Sequence, residues 1–412
     1  MPAQLIGIDA LSFAGPDAYL ALRDLATARG VDPAKFTVGL GQHGMAIASP
    51  CEDPVTMAVA AGRKALSGFD IDPEQIGTLI VGTETGIDHS KPVAVYAHEL
   101  LGLSQHCRTF ETKHACYGAM AGLTASMDWI GCGRARGRKA LVIASDIASY
   151  GLNTPGEPTQ GAGAVAMVVS DAPRLLTIDP DYIGDYTRQV MDFWRPLYSK
   201  YAVADGHYSI ECYLDALVGA LNDATSQHDH AQACPDPVAC LYHIPFVRMA
   251  FKAHQRYVEH CSGQALNADH ASGWQSLNDD YAQRVRPWLS LNAQIGNIYT
   301  GSLFLSLIDL LRQQAASMAG QPISLFSYGS GCGATYCIGR VADAAGQWTA
   351  QLDPADDLKR RRRLSIDEYE HLIEQNQTAD QQTSLTPEEF GHRQGLYYVG
   401  TRDHQRQYRA LG

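Results

Sequence analysis

The segment Glu111 to Gly118, ETKHACYG, carries the densest chemical cue in a chain of 412 residues. Cys116 lies between a short strand-like run and a helix-like run of small residues. Free amides at a helix N-terminus lower a thiol's pKa and donate to a developing oxyanion, so this setting suits a covalent nucleophile, although a buried structural cysteine has the same surroundings. Glu84, in VGTETG, directly follows an apolar strand-like run, and loops at strand C-termini are where α/β proteins collect ligands and catalytic groups. Considered alone, Glu84 reads as a solvated loop carboxylate. His243 sits in the apolar stretch CLYHIPF, the usual company of a satisfied core histidine. Asn297 in QIGNIYTGS and the glycine-rich run Tyr328 to Gly331 (YGSG) could each be a turn requirement. Singly, none decides a function.

The elements that must position these residues alternate. Asp53 and Pro54 open an apolar helix over Val55 to Leu66, with Asp as N-cap and Pro at the first helical position, and Asp72 with Pro73 opens a short turn. Ile76 to Val81, Arg108 to Glu111, Ala140 to Ser145, Ala164 to Val169 and the run from Ile323 read as strands. From Cys116, the residues Met120, Leu123, Met127 and Ile130 recur at helical spacing, and small residues between them permit close packing on both sides. Tyr299 to Gln313 reads as a helix, and Asp223 to Asp236 as a polar stretch. In the tail, Ser365 with Glu368 and Thr386 with Glu389 form two capping-box patterns, which predict surface helices. The alternation predicts layered α/β architecture.

Composition narrows the partners. Hydrophobic residues make up 45% and charged ones 18%, enough for large buried cores and too little charge for disorder. A net charge of -12 argues against general attraction to nucleic acid or an anionic membrane. The ten cysteines lack paired zinc spacings, and no apolar stretch approaches a membrane span, so the expectation is a soluble, cytoplasmic protein with reduced thiols and no metal.

Together, GIDALSF at Gly7, GLGQ at Gly39, VGTETG around Glu84, KHACYG around Cys116, YGLNTPGEPTQGAGAVAM from Tyr150, DFWRP at Asp192, HIPF at His243, GNIYTGS at Gly296 and FSYGSG at Phe326 resemble 3-hydroxy-3-methylglutaryl-CoA synthase, in the same order. The resemblance spans essentially the whole chain. It implies a thiolase fold, five layers αβαβα built from two similar halves, 1–171 and 172–412. It also implies a homodimer without metal or organic cofactor, acting on substrates carried by phosphopantetheine. Cys116 would take an acetyl group as a thioester, Glu84 would remove a methyl proton and later protonate the tertiary alkoxide, and His243 would polarise the acceptor carbonyl. Asn297, Tyr299, Tyr328, Gly329 and Ser330 would surround the substrate, with the amides of Cys116 and Ser330 holding the thioester oxyanion. Ketoacyl synthases of the same fold obtain their carbanion by decarboxylation and need no carboxylate base, so Glu84 favours the aldol reaction. Because Cys116, Glu84 and His243 are all present, an inactive scaffold of this fold is disfavoured.

Two branches of the family differ in carrier. Mevalonate-pathway members use acetyl-CoA and acetoacetyl-CoA, whereas polyketide β-branching members act on chains held by donor and acceptor acyl carrier proteins. SKPVAVYAHELLGL from Ser90, RTFETKHACYG, DGHYSIECYLDAL from Asp205 and YYVGTRDHQRQYR from Tyr397 look more like the second branch. Carrier proteins are acidic and need a positive patch, for which Lys35, Arg248 and Lys252 are the candidates, with the run Lys359 to Arg363 second.

Overall fold

The computed structural model of the chain describes residues 5–199, 201–226, 235–266 and 271–412. Of the polar stretch Asp223 to Asp236, positions 227–234 lie outside the described residues, as does Cys234. The other nine cysteines are free thiols.

Among the described residues, nine strands form one hydrogen-bonded sheet. Strands from the first 170 residues occupy one side of it. Ile76–Gly82 lies between Arg108–Thr112 and Lys139–Ala148, parallel to both; Gly161–Ser170 and then Ile6–Ala14 continue the sheet antiparallel. Every residue of Ile76–Gly82 and of Gly161–Ser170 is buried, as continuous apolar runs demand when a sheet is covered on both faces. Ile6 to Ile8 then pair with Leu176 to Ile178, which joins the second group: Leu176–Thr187, Gly333–Val341, Pro322–Gly329 and Ala239–Tyr242.

Each predicted strand and the early helix form close to their expected bounds. Helix Pro54–Gly68 starts where the sequence requires: the Asp53 carboxylate accepts from the Thr56 amide at 2.8 Å, and the Thr56 hydroxyl accepts from the Asp53 amide at 2.9 Å. Asp72 likewise caps the single turn Pro73–Gln75. Two helices lie deepest. Gly118–Gly131 packs on the first group of strands through its small residues, and Ser302 to Leu311 of helix Ser302–Gln314 are buried without a break, so that this helix has no solvent face over ten residues.

The tail departs from expectation. The Ser365 capping box forms and opens helix Ile366–Asn376, but Thr386 caps nothing: Pro387–Phe390 is one turn of 3-10 helix ended by Gly391 at φ 92°. The chain then closes as a hairpin, Gly395–Arg402 with Gln405–Leu411, turned through Asp403 and His404 at φ 50° and 63°. Two left-handed residues match the twist of paired strands, and this turn was legible only as DH.

Candidate active site

Cys116 stands in the turn between strand Arg108–Thr112 and helix Gly118–Gly131. The turn is tight: Ala115 adopts a left-handed φ of 40°, and the Tyr117 amide donates to the His114 carbonyl at 2.8 Å. Two strand ends clamp it. A Cβ at Gly82 would lie 2.4 Å from the Ala119 nitrogen, and one at Gly329 would lie 2.5 Å from the His114 oxygen, so both positions need glycine for this approach. The Ala119 amide donates to the Thr300 hydroxyl at 2.7 Å, which ties the helix start to the segment carrying Asn297 and Tyr299.

The thiol itself is 8% exposed and packs among Ala148, Tyr299, Tyr150 and Phe193. Burial, and then the carboxylates of Glu84, Asp146 and Asp192, hold its pKa well above the usual thiol range. Burial and the neighbouring carboxyl groups thus act against the acidification that a helix N-terminus would give.

Glu84 follows strand Ile76–Gly82 and is drawn into the interior by Asp146, at the end of the apolar run of Lys139–Ala148. One oxygen of Asp146, Oδ1, accepts from the Thr83 and Thr85 hydroxyls and from the Glu84 and Thr85 amides, at 2.8 to 3.2 Å. Asp146 Oδ2 and Glu84 Oε1 are buried without a hydrogen bond. Burial first, and the Asp146 charge second, raise the Glu84 pKa to about 8 against the opposing charge of Arg195, whose guanidinium donates to the Glu84 carbonyl. Burial also raises Asp146, to about 6, with the hydrogen bonds from Thr85 and Thr83 working against it. Glu84 is thus no solvated loop carboxylate. A carboxyl group with a pKa near neutrality is matched to taking and returning a proton.

His243 follows strand Ala239–Tyr242, with its amide donating to the Phe326 carbonyl at 2.8 Å and its carbonyl accepting from the Tyr213 hydroxyl at 2.9 Å. Burial lowers its pKa to about 3, so the imidazole is neutral, and its Nδ1 has no partner. The ring is joined to the nucleophile's surroundings by aromatic packing: Tyr213 lies 6.3 Å from His243 and 5.1 Å from Tyr328, centroid to centroid. Tyr328 in turn donates to Asp192 Oδ2 at 2.6 Å, while Asp192 Oδ1 accepts from the Gly331 amide at 2.9 Å. Tyr328 and Asp192 therefore brace the loop carrying Gly329 and Ser330. Asn297 is similarly committed: its Oδ1 accepts from the Tyr299 amide and the Ser302 hydroxyl, and its Nδ2 donates to Tyr150 at 3.2 Å, which leaves one amide hydrogen for a ligand.

A cavity of about 1090 Å³ is lined by Glu84, His114, Ala115, Phe193, Arg195 and Ser330 among others; Cys116 and His243 are not among its lining residues. The tail contributes too, through Asp380, Tyr398 and Arg406. Lys35, Arg248 and Lys252 lie elsewhere. They are exposed on two elements that pack together, Lys35–Leu40 and helix Val247–Ser262, and Arg248 with Arg286 lines a second cleft of about 770 Å³. The run Lys359 to Arg363 is occupied by local partners. Lys359 and Arg360 meet Asp356 and Asp357, Arg362 and Arg363 meet Glu368 and Asp24, and Arg361 covers the Tyr19 ring.

Sequence reasoning assigned no role to Asp146, Asp192, Arg195 or Tyr150. Asp192 and Arg195 were visible in DFWRP and Tyr150 in YGLNTPG, whereas Asp146 gave only one signal, a lone charge closing an apolar strand.

Comparison with known proteins agrees with this geometry. The family model for the hydroxymethylglutaryl-coenzyme A synthase N-terminal region matches residues 2–173, and that for the C-terminal region matches 176–275 and 267–410. The hydroxymethylglutaryl-CoA synthase of Enterococcus faecalis is 38% identical, over 93% of this chain and 95% of its own length. Among solved structures, MvaS in complex with 3-hydroxy-3-methylglutaryl coenzyme A is 44% identical with a TM-score of 0.91, covering 99% of both chains. The curacin biosynthetic pathway HMG synthase in complex with holo donor-ACP is 32% identical with a TM-score of 0.91, covering 99% of this chain and 100% of that one. A mixed α/β sheet with these neighbours is the thiolase-like fold, and the chain belongs to the hydroxymethylglutaryl-coenzyme A synthase family.

Proposed function

We propose that the chain catalyses an aldol condensation in which acetyl-Cys116 adds through its methyl carbon to the ketone of a β-ketoacyl thioester. The observation that carries this reading is the buried Glu84–Asp146 pair beside the Cys116 thiol. It supplies a carboxylate base whose pKa of about 8 lets it remove a proton from the acetyl methyl group and return it to the tertiary alkoxide. Neutral His243 donates a hydrogen bond to the acceptor carbonyl, and the amides of Cys116 and Ser330 hold the thioester oxygen. Hydrolysis of the Cys116 thioester then releases the product as a carboxylate. Glu84→Gln tests the assignment: Cys116 should still become acetylated while condensation is lost, and normal condensation would remove Glu84 from the role.

Two observations bear on the carrier and point in opposite directions. Four stretches of sequence favour carrier-protein substrates and β-branching of a polyketide. The identities favour CoA: 44% and 38% to proteins named for CoA chemistry, against 32% to the curacin enzyme. Identity sums over the whole chain, so CoA is the first reading and β-branching on donor and acceptor carrier proteins the second. Offering acetyl-CoA and acetyl carrier protein side by side, and comparing Cys116 acetylation by intact mass, decides between them. In either form, Lys35, Arg248 and Lys252 would receive the phosphate end of the arm or its acidic protein.

A further inference from the structure

We propose that His114 is the general base that activates water to hydrolyse the thioester holding the condensed product on Cys116. This inference rests on the proposed aldol reaction, which assigns no base to that last step. His114 lines the same cavity as Glu84, Ala115, Ser330 and Gly331, two residues before the nucleophile. Packing fixes its ring: Tyr117 meets it edge-on at 5.5 Å, and a Cβ at Gly333 would fall 2.4 Å from its Cε1. No hydrogen bond engages either ring nitrogen within the described residues, so both remain available to water. Nε2 lies 3.9 Å from where a Gly331 Cβ would stand, next to Ser330, whose amide the proposed reaction sets on the thioester oxygen.

The other two candidates already have a role in the proposed reaction: Glu84 serves the methyl group and the tertiary alkoxide, and His243, which is buried and not among the cavity's lining residues, serves the acceptor carbonyl. Burial alone shifts the His114 pKa, downward, so the neutral ring needed for a base prevails at neutral pH. The acidic and basic neighbours that share its segment or line the cavity are Glu111, Lys113, Glu84, Arg188 and Arg195, with Glu52, Asp53, Asp88, His89, Asp380 and Arg406 elsewhere on the lining, and Asp185 stands behind Tyr117 through Thr335. In the step itself, Nε2 takes a proton from water as the water oxygen bonds to the thioester carbon. Collapse of the tetrahedral oxyanion breaks the carbon–sulfur bond, and the imidazolium returns its proton to the departing sulfur.

The test uses the full chain, acetyl-CoA and intact-mass spectrometry. His114→Gln and His114→Asn should acetylate Cys116 at near the unsubstituted rate but lose the acetyl group to water about 100-fold more slowly without acceptor, and should accumulate product-bound enzyme when acetoacetyl-CoA is added. The acid limb of deacetylation against pH should vanish in both, and persist in Lys113→Ala, which alters a neighbour on the same wall. Unchanged deacetylation in the His114 variants would overturn the inference, as would acetylation and deacetylation falling in equal proportion, since that marks a bracing residue. If the unsubstituted enzyme never acetylates on Cys116, the proposed reaction fails instead.

Discussion

Two clusters in this molecule both draw on carboxylates and a histidine and behave in opposite ways. Near Cys116 stand Glu84 and Asp146, with His243 reached through Tyr213 and Tyr328; under the tail hairpin stand Ser49, Glu52 and His392, with Asp17 at the exposed edge. In the second cluster His392 pairs with the Ser49 hydroxyl at 2.8 Å and with Asp17 at 3.0 Å, and Glu52 accepts from the amides of Ser49 and Asp17 at 2.8 and 3.2 Å. The Tyr397 ring stacks on His392 at 4.1 Å, and beside it Asp53 receives Arg406 and Tyr408 at 2.8 Å each. Asp17, Glu52 and His392 are spaced as metal ligands would be, within 4.8 Å, but they bond their neighbours. The first cluster leaves Glu84 Oε1, Asp146 Oδ2 and His243 Nδ1 buried and unpaired. A buried polar atom without a partner costs free energy, so the fold carries that cost in one cluster and avoids it in the other. The unsatisfied groups are those to which the proposed reaction assigns chemistry; the satisfied cluster fastens the tail.

That contrast can be broken in several ways. The largest effect belongs to Cys116→Ser, expected to abolish covalent acetylation and lower turnover by about 10⁴-fold or more. Substantial remaining turnover by the variant would remove the thiol from the reaction. Glu84→Gln comes next, with condensation falling by about 10²- to 10⁴-fold. The same change should improve stability at high pH, and linkage gives the sign. The folded pKa near 8 exceeds the unfolded value of 4.5, so the native state holds the extra proton, and stability is greatest below 4.5 and declines as pH rises towards 8, by up to roughly 1.4 kcal/mol per unit. Urea denaturation at pH 5 and pH 8 should show that decline in the unsubstituted chain and a flatter profile in the variant.

His392→Ala should do the reverse of Glu84→Gln. It strands the buried Ser49 hydroxyl and removes the stacked, hydrogen-bonded ring beneath Tyr397, and should cost about 2 kcal/mol in urea denaturation while Cys116 still acetylates with acetyl-CoA. Loss of acetylation with stability unchanged would place the tail cluster in the chemistry. The smallest effect is expected at Lys359→Ala, an exposed residue in the basic run paired with Asp356 at 3.6 Å, which should shift stability by less than about 0.5 kcal/mol. A similar null effect on acetylation from CoA and from carrier protein would confine docking to Lys35, Arg248 and Lys252.

The sequence by itself determined the elements whose signals are local. Asp53 with Pro54 set a helix start, continuous apolar runs such as Ile76 to Val81 set doubly covered strands, and ordered motifs marked Cys116, Glu84 and His243 across the chain. Local signals misled in the tail: Thr386 with Glu389 promised a helix, but only the single turn Pro387–Phe390 forms before the left-handed Gly391. Only the tertiary structure decided the protonation states. Glu84 and Asp146 are 62 positions apart, and nothing in either segment shows that the amide of one bonds the carboxylate of the other in a dry interior. The same burial raises the pKa of Cys116 and lowers that of His243. Propensity and capping act over a few residues and are written in the chain, whereas desolvation and charge–charge interaction depend on what the fold brings within a few ångströms.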